Sequence, residues 1–288
     1  MLFLCVVVVC KECLLFVKKM VTLLLGVVIK MEERVMPRVF LLGYTKSLVS
    51  DNPESIVACA GKLCYSKSSC DDIMKKMDDE EVCRFVSMLS TMGHESVLEH
   101  ISFTFAIDGI SRTCSHQLVR HRIASYSQQS QRYVDLKDTF SYIIPEEIYN
   151  NEEARKLYVE SMDSDFDNYK KITKVLHDSY VLSMDERSAT KKAIEDARFA
   201  LPNACETKVV MTMNARSLLN FFSLRMCNRA QWEIREVAGK MLDLVMDVAP
   251  HIFAKAGAPC TFGKCKEGKM SCGNRVLPND KQRRLIKD

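Results

Sequence analysis

An arginine-rich stretch without a single acidic residue, residues 109–134, limits how this chain can fold. It contains Arg112, Arg120, Arg122 and Arg132 and no lysine, although the whole chain carries 37 Asp and Glu residues. Because unpaired cations are costly to bury, the stretch has to lie where water or an external anion can reach it. Planar guanidinium groups bind phosphates and carboxylates through paired hydrogen bonds. The stretch therefore predicts an anion-binding site, and a solvated basic loop is the alternative.

Composition places the chain among ordinary globular proteins. Its 288 residues are 47% hydrophobic and 27% charged, enough to bury a full core in one elaborated domain or two small ones. The formal net charge of +4 is too small to indicate nucleic-acid binding by itself. Thirteen cysteines, an odd number whose spacings suggest no disulfide framework, favour a reducing, cytoplasmic location.

Residues 1–35 form an apolar leader that differs from the rest of the chain. Lysines and a glutamate interrupt its two apolar runs, so neither reaches the ~18 residues needed to cross a bilayer, and no stable membrane association is expected. A clear strand pattern begins only after Met36. We predict that residues 1–35 are an upstream extension or follow from a mis-assigned start codon. A membrane-associated leader is the alternative.

Hydrophobic periodicity predicts the elements that carry the remaining motifs. Alternating apolar residues predict strands over residues 39–42, 101–107 and 207–213. Amphipathic spacing predicts long helices over residues 151–182, interpreted as a surface layer without catalytic groups, and 186–199. Gly93 is expected to end an earlier helix, and Ser111 to cap the helix that leads into the arginine-rich stretch.

One arginine occupies an unusual position after the third predicted strand. Helical spacing places Arg225 on the same face as the apolar residues Leu218, Phe221 and Phe222. A buried cation costs several kcal/mol unless something pairs with it. An interior acid would serve as the partner, and so would a bound nucleotide.

Four ordered motifs resemble those of flavin-dependent thymidylate synthases. The central one is Arg120-His121-Arg122 followed, after seven residues, by Ser130. The other three are GHESVLEH at residues 93–100, ARFALP at residues 197–202 and NARSLLNFFSLR at residues 214–225. Together the resemblance covers about residues 36–253, which makes chance a poor explanation.

The resemblance implies an architecture. It implies an α/β (α+β) fold, the flavin-dependent thymidylate synthase fold, in which helices surround a mixed, largely antiparallel sheet. This domain would occupy residues 36–256 and form a homotetramer whose active sites lie between subunits. Residues 257–288, rich in Cys, Lys and Gly, are expected to form a flexible tail.

The resemblance also implies a reaction. dUMP would be reductively methylated to dTMP, with methylenetetrahydrofolate as the carbon donor, FAD as the redox carrier and NADPH as the reductant. The flavin would carry the hydride chemistry, while the protein supplies orientation and electrostatics. Only Cys114 lies in the arginine-rich stretch, and we predict that no cysteine acts as the nucleophile.

The same resemblance assigns roles to individual residues. Those expected to contact the cofactor are Cys64, His94, Ser96, Arg120, His121, Arg122, Gln128, Asn214, Arg216 and Asn220. Those expected to bind dUMP are Gln117, Arg120, Gln128, Gln129, Ser130, Gln131, Arg132, Arg198 and Arg225. Arg225 would also be catalytic, because it faces the uracil O2/N3 edge where negative charge accumulates as C5 becomes nucleophilic.

Three of these residues carry a qualification, the first from the resemblance and the other two from the sequence itself. Gln128 stands where many relatives carry Glu, so a charged contact becomes neutral there. Helical spacing alone favours a core position for Cys64 over a ligand position. A lone arginine near a helix C-terminus, such as Arg198, is otherwise a partner of the helix dipole.

Two groups of residues suggest metal binding, but their spacing argues against it. His94 and His100 lie six residues apart, whereas two zinc ligands on one helix face need a separation of four. Cys260, Cys265 and Cys272 include no CxxC pair, and no fourth ligand follows at a standard spacing. No metal site is therefore predicted.

A nucleotide- or nucleic-acid-binding protein that uses the arginine-rich stretch without turnover is the alternative function. Tyr126 and Tyr133 would then stack on bases. Such a protein predicts basic residues along one exposed face, whereas the apolar surroundings of Arg225 favour a single enclosed ligand. We therefore expect no nucleic-acid partner.

Overall fold

The computed structural model describes residues 34–134 and 140–287, and this part of the chain contains a four-stranded antiparallel sheet. The strands are β1 (Arg38–Tyr44), β2 (Ser102–Ser111), β3 (Ala124–Gln128) and β4 (Glu206–Asn214). They lie in the order β1-β2-β4-β3, and each neighbouring pair runs antiparallel. Helices separate the strands along the chain, so the fold is α+β, as the sequence predicted.

The helices of the described part are numbered in chain order. They are α1 (Ser55–Leu63), α2 (Cys70–Lys76), α3 (Asp79–Met92), α4 (Arg112–Leu118), α5 (Glu146–Asn150), α6 (Glu152–Tyr180), α7 (Glu186–Ala197), α8 (Ala215–Arg225), α9 (Trp232–Met246), α10 (Pro250–Phe253), α11 (Pro259–Phe262) and α12 (Asp280–Lys287). Short 3₁₀ turns lie at Glu95–His100, Arg198–Ala200 and Gly268–Met270.

The two central strands supply the apolar face of the sheet. Phe103, Phe105 and Ile107 of β2 are fully buried. Val209 and Met211 of β4 are at most 2% exposed. In both strands these residues alternate with more exposed ones, the period of two expected when one face packs on a core. Phe105 lies opposite Met211 in the register, so the apolar rows of the two strands coincide.

Local signals in the sequence set several helix ends. Gly93 adopts a φ of 76° directly after α3 and ends it, as predicted. Ser111 Oγ accepts a 2.9 Å hydrogen bond from Cys114 N at the start of α4, which confirms the predicted cap. Asn214 Oδ1 accepts one of 2.8 Å from Ser217 N at the start of α8. These caps fix where the chain leaves the two central strands.

The main core lies between the sheet and helices α8 and α9. Phe221 and Phe222 of α8 are fully buried, and the Phe222 and Phe253 rings meet edge to face at 5.9 Å. Phe103 of β2 contacts Phe253 in the same manner at 5.5 Å. Because burying a Phe side chain stabilises by about 2 kcal/mol, this cluster holds the helix that carries Arg225 firmly on the sheet.

Helix α6 forms the surface layer that the sequence predicted for residues 151–182. Helix α6 has 29 residues, of which Met162, Tyr169 and Thr173 are buried. Met162 packs with Tyr142 and Ile144 in a small second cluster. The narrow buried face confirms an amphipathic helix on the outside of the core.

The two ends of the chain differ from each other. The leader prediction falls mainly on residues 1–33, which lie outside the described residues. Within the described ranges, no helix is both long enough and apolar enough to span a membrane. In the tail, whose predicted flexibility stays a prediction, Gln282 of α12 is 1% exposed, and its Nε2 donates to Phe253 O and Ala256 O at 3.2 and 2.8 Å.

Candidate functional site

A buried carboxylate anchors the arginine-rich stretch where β2 passes into α4. Glu233, 1% exposed at the start of α9, accepts hydrogen bonds from Ser111 N and Ser111 Oγ, both at 2.6 Å. Burial raises the pKa of Glu233 above its ordinary value, and the Ser111 donors oppose that shift. Since Ser111 also caps α4, Glu233 fixes the point at which the stretch begins. No motif or spacing in the sequence points to this residue.

Arg225 and His121 lie at the centre of the candidate site. Arg225 Nε donates a 2.8 Å hydrogen bond to His121 Nε2. The His121 ring is 7% exposed and meets Phe221 edge to face at 4.9 Å. Burial, and after it the charge of Arg225, lowers the pKa of His121 to about 4. At neutral pH His121 is therefore an uncharged acceptor.

This pairing was not expected from the sequence, which suggested an acid or a nucleotide as the partner of Arg225. Among the described residues Arg225 has no acidic partner, and its Nε donates to the neutral His121 ring. The positive charge is thus oriented but not cancelled. An external anion placed beside it would gain a favourable interaction that the chain itself leaves unused.

Arg120 and Arg122 lie in the turn between α4 and β3, and both are exposed. One terminal nitrogen of Arg122 donates to the backbone carbonyls of Val119 and His121, at 2.6 and 3.2 Å. Tyr126 OH also donates to His121 O, at 3.1 Å, and so closes the turn. In the part of the chain that the structure describes, neither guanidinium has an acidic partner. Both charges are available to an anion.

Other arginines of the predicted site are already engaged. Arg132 Nε lies 2.8 Å from Glu195 Oε1 of α7, so the stretch is not unpaired throughout, contrary to expectation. Arg198 Nε donates at 3.1 Å to Glu195 O, the helix-end contact that was the alternative to nucleotide binding. Both residues would need to share or exchange these contacts to bind dUMP.

Two of the four glutamines of the stretch make internal side-chain contacts. Gln128 Nε2 donates to Ser115 Oγ at 2.9 Å and to Thr207 Oγ1 at 3.2 Å. Gln131 Nε2 donates to Cys205 Sγ at 3.4 Å. The remaining predicted nucleotide ligands of this region are half-buried beside them, namely Gln117, Gln129 and Ser130. In the single chain these amides fix the arginine-rich stretch against β4 and α4.

A groove of about 470 Å³ brings together four residues predicted to hold the cofactor, which are Arg122, Asn214, Arg216 and Asn220. Arg216 differs from expectation because its guanidinium pairs with Glu99 at 2.5 Å and with Glu95 at 3.5 Å. Both acids belong to the GHESVLEH motif and also line the groove. Two separate motifs of the sequence thus meet here through an ion pair.

A second groove of about 450 Å³ contains Arg225. It shares Asn220, Ser223 and Lys266 with the first, so the two grooves adjoin. Lys266 comes from the tail and belongs to none of the four motifs. Its place in the site depends on the tail folding back, for which the sequence carries no local signal.

Six of the ten predicted cofactor residues line neither groove. Arg120, His121 and Gln128 belong to the arginine-rich stretch described above, and the other three lie elsewhere. Cys64, His94 and Ser96 are exposed and line neither groove. The interpretation of Cys64 as a core residue is wrong, because it follows the last turn of α1, where its Sγ donates to Ala60 O at 3.4 Å.

The α+β fold thus places uncompensated arginines beside two adjoining grooves, an arrangement suited to binding an anion. The family described as Thymidylate synthase complementing protein matches residues 41–251. The chain belongs to this family.

Relatives within the family share most of their length with this chain. A flavin-dependent thymidylate synthase of Clostridium tetani is 53% identical over 237 residues, which cover 82% of this chain and 93% of the relative. Those of Geobacter sulfurreducens and Pyrococcus furiosus are 49% and 42% identical over 223 and 238 residues, covering 77% and 81% of this chain and 90% of each relative. The resemblance of the four motifs is confirmed, and these matches give no support to the nucleic-acid-binding alternative.

Proposed function

We propose that this protein is an FAD-dependent thymidylate synthase that reductively methylates dUMP to dTMP. Methylenetetrahydrofolate supplies the carbon, FAD is the redox carrier and NADPH is the reductant. The family membership supports the class of reaction, and the relatives carry the name flavin-dependent thymidylate synthase. The arrangement of arginines supports an anionic substrate and cofactor.

The observation that carries the proposal is the Arg225–His121 pair. Arg225 lies beside a groove and keeps its full charge, because its partner is a neutral ring. When C5 of the uracil becomes nucleophilic, negative charge accumulates on the O2/N3 edge. A cation already oriented towards that edge stabilises the charge without reorganising during the reaction. His121 is then a positioning residue that fixes the guanidinium.

The residues around the first groove fit a flavin dinucleotide. Arg122 offers an uncompensated cation for the diphosphate, and the Asn214 and Asn220 side chains supply amides. FAD supplies the hydride transfer when bound. Arg216 holds the GHESVLEH motif beside this groove through Glu95 and Glu99, and we assign it to ordering that segment. Arg120 is assigned to the phosphate of dUMP.

We also propose a homotetramer with active sites between subunits, acting in the cytoplasm. The outer face of the sheet supports a subunit contact: Phe40 and Val210 are 49% and 39% exposed. Both lie opposite Ala106 of β2, so they form an apolar row across three strands. The described cysteines are all free thiols, which fits a reducing compartment.

The decisive experiment compares dTMP formation by Arg225→Ala and Cys114→Ala with the wild type. Arg225→Ala should lower kcat by about 100-fold or more, because a charge-stabilising donor is lost, and FAD should remain bound. Cys114 is fully buried, and burial raises the pKa of its thiol, so Cys114→Ala should keep most of its turnover.

Flavin absorbance and circular dichroism provide the controls for both variants. A wild-type protein that binds no FAD and forms no dTMP would overturn the proposed function. Wild-type turnover in Arg225→Ala would remove the assignment of Arg225. Lost turnover in a folded, flavin-loaded Cys114→Ala would show that the thiol takes part in the chemistry.

A further inference from the structure

The exposed turn of the tail, residues 263–275, has a defined conformation without a core of its own. Every residue in it is exposed. It contains the 3₁₀ turn Gly268–Met270, and Gly268 and Gly273 adopt φ values of 53° and 74°. The hydrophobic effect does not hold such a segment, because it buries no apolar side chain. Segments of this kind are commonly fixed by disulfides or metal ions.

Four cysteines line one cavity of about 180 Å³ beside this turn, namely Cys227, Cys260, Cys265 and Cys272. Three come from the tail, and Cys227 comes from the loop that follows α8. The two segments are tied together by polar contacts: Asn228 Nδ2 donates to Asn274 O at 3.1 Å, and Arg229 donates to Met270 O at 2.7 Å. The fold thus supplies the fourth cysteine that the tail sequence lacks.

The surroundings of these thiols carry several positive charges. Arg229 and Arg275 line the same cavity, and three lysines, Lys264, Lys266 and Lys269, lie in the turn. Cations near a cysteine stabilise its negative sulfur. In addition, Val276 N donates to Cys260 Sγ at 3.4 Å, and such donors to a ligand sulfur are typical of the outer shell of metal sites.

We propose that Cys227, Cys260, Cys265 and Cys272 bind one Zn²⁺ ion as a structural site. Four thiolates around zinc form a closed tetrahedral site with no open position for substrate. Binding releases the four thiol protons to solvent and forms four Zn–S bonds, with no change of oxidation state. The resulting charge of −2 on the site is offset by the nearby arginines and lysines. The ion would join the tail to the end of α8, next to Arg225.

A different group of possible ligands is closer together but is already satisfied. Among the described residues, the ligand atoms of Glu54, Cys83 and His251 lie within 4.8 Å of one another. Glu54 Oε1 accepts hydrogen bonds from the backbone nitrogens of His251 and Ile252, and its Oε2 lies 2.7 Å from His251 Nδ1. This carboxylate therefore serves the start of α10. The four cysteines are more widely spaced, so the exposed turn has to close around the ion.

The test is the metal content of the full chain purified without chelator under reducing conditions. We expect about one zinc per chain by mass spectrometry of the metals, and a loss of most of it in Cys265→Ser and Cys272→Ser. Cys70→Ser is the matched control, because Cys70 is another exposed free thiol and lies outside the cavity. Its zinc content should equal that of the wild type. Co²⁺ in place of zinc should give the intense sulfur-to-cobalt absorption of thiolate coordination.

Thiol alkylation keeps the proposal testable if a variant fails to fold. In the wild type, zinc should protect four cysteines from alkylation, and a chelator should expose them, with the protected residues identified by peptide mapping. Substoichiometric zinc, equal zinc in the Cys265→Ser and wild-type proteins, or disulfides among the four cysteines would each overturn the proposal. None of these readouts depends on thymidylate synthase activity.

Discussion

At the scale of single residues, the surroundings of His121 decide what Arg225 can do. In water a histidine has a pKa of about 6.5 and is partly charged at neutral pH. Burial and the adjacent guanidinium keep His121 neutral, so that it accepts a hydrogen bond from Arg225. An acidic partner in the same place would orient Arg225 equally well but would cancel the charge that the proposed reaction needs.

We expect mild acid to destabilise the fold through His121. Its folded-state pKa of about 4 lies below the unfolded value of ~6.5, so the unfolded chain binds the proton more strongly. The stabilisation is therefore present above pH ~6.5 and is lost as the pH falls towards 4, by about 2 kcal/mol at pH 5. Urea unfolding of the wild type and His121→Asn between pH 7 and pH 4.5 measures this.

The variant keeps an acceptor for Arg225 but has no titrating ring, so it should lose less stability in acid than the wild type. The carboxylates titrate in both proteins, so their effect on the free energy of unfolding cancels in the comparison. An identical pH dependence in the two proteins would show that His121 is not held neutral by the fold.

Flavin retention should depend on the shape of the Arg122 side chain as well as on its charge. Lysine cannot reproduce the bidentate guanidinium fork, and losing one charge-assisted hydrogen bond costs about 1.5 kcal/mol. Arg122→Lys should therefore raise the Kd for FAD about tenfold, measured by fluorescence titration. Arg84→Lys, at an exposed position in α3, should leave it unchanged. Equal affinities of the two variants for FAD would favour the alternative, in which the arginine-rich stretch is a solvated loop.

At the scale of elements, β3 determines the position of the turn that carries Arg120 and Arg122. It pairs Ala124 with Met213 of β4, directly before the start of α8. This pairing returns the chain from the far end of the sheet and brings Arg122 to the groove that Asn214 lines. The periodicity of the sequence did not predict β3, because its alternation is weak and largely polar. Backbone pairing with β4, rather than burial of its own side chains, stabilises it.

The junction of β2, α4 and α9 should depend on Glu233. In Glu233→Gln one carboxylate oxygen facing the Ser111 donors becomes an NH₂ group, so a buried hydrogen bond is lost at a cost of about 1–3 kcal/mol. Glu236→Gln is the matched control on the same helix. It removes a surface pair with Lys240 at 2.8 Å, worth about 0.3–0.5 kcal/mol. Urea unfolding measures both, and equal losses would contradict the anchoring role of Glu233.

At the scale of the whole molecule, a chain that starts at Met36 should fold and bind FAD like the full-length protein. The family match begins at residue 41, and Pro37 O accepts a 2.6 Å hydrogen bond from Lys240 Nζ, so a start at Met36 keeps this contact. We expect equal flavin content and a Tm within a few degrees. Thermal unfolding and flavin absorbance test this. An insoluble or flavin-free shortened protein would show that the leader is part of the fold.

The sequence by itself determined the family and the main elements, with β3 as an exception. Helix ends at Gly93, Ser111 and Asn214 follow from local backbone chemistry, and the apolar periods of β2, β4 and α8 follow from burial on one face. The four motifs identified the family because their order and spacing survive in the linear chain. These properties depend on residues that are close together in the sequence.

Only the tertiary structure decided which partner each polar group takes. Arg225 meets a neutral histidine, Ser111 meets the buried Glu233, and Cys227 lines one cavity with three cysteines of the tail. Each of these sets joins segments far apart in the chain. The sequence contains other residues of the same chemical type that could have served as the partner. The choice is made when the sheet and helices close, because hydrogen bonds and charge interactions act over only a few ångströms.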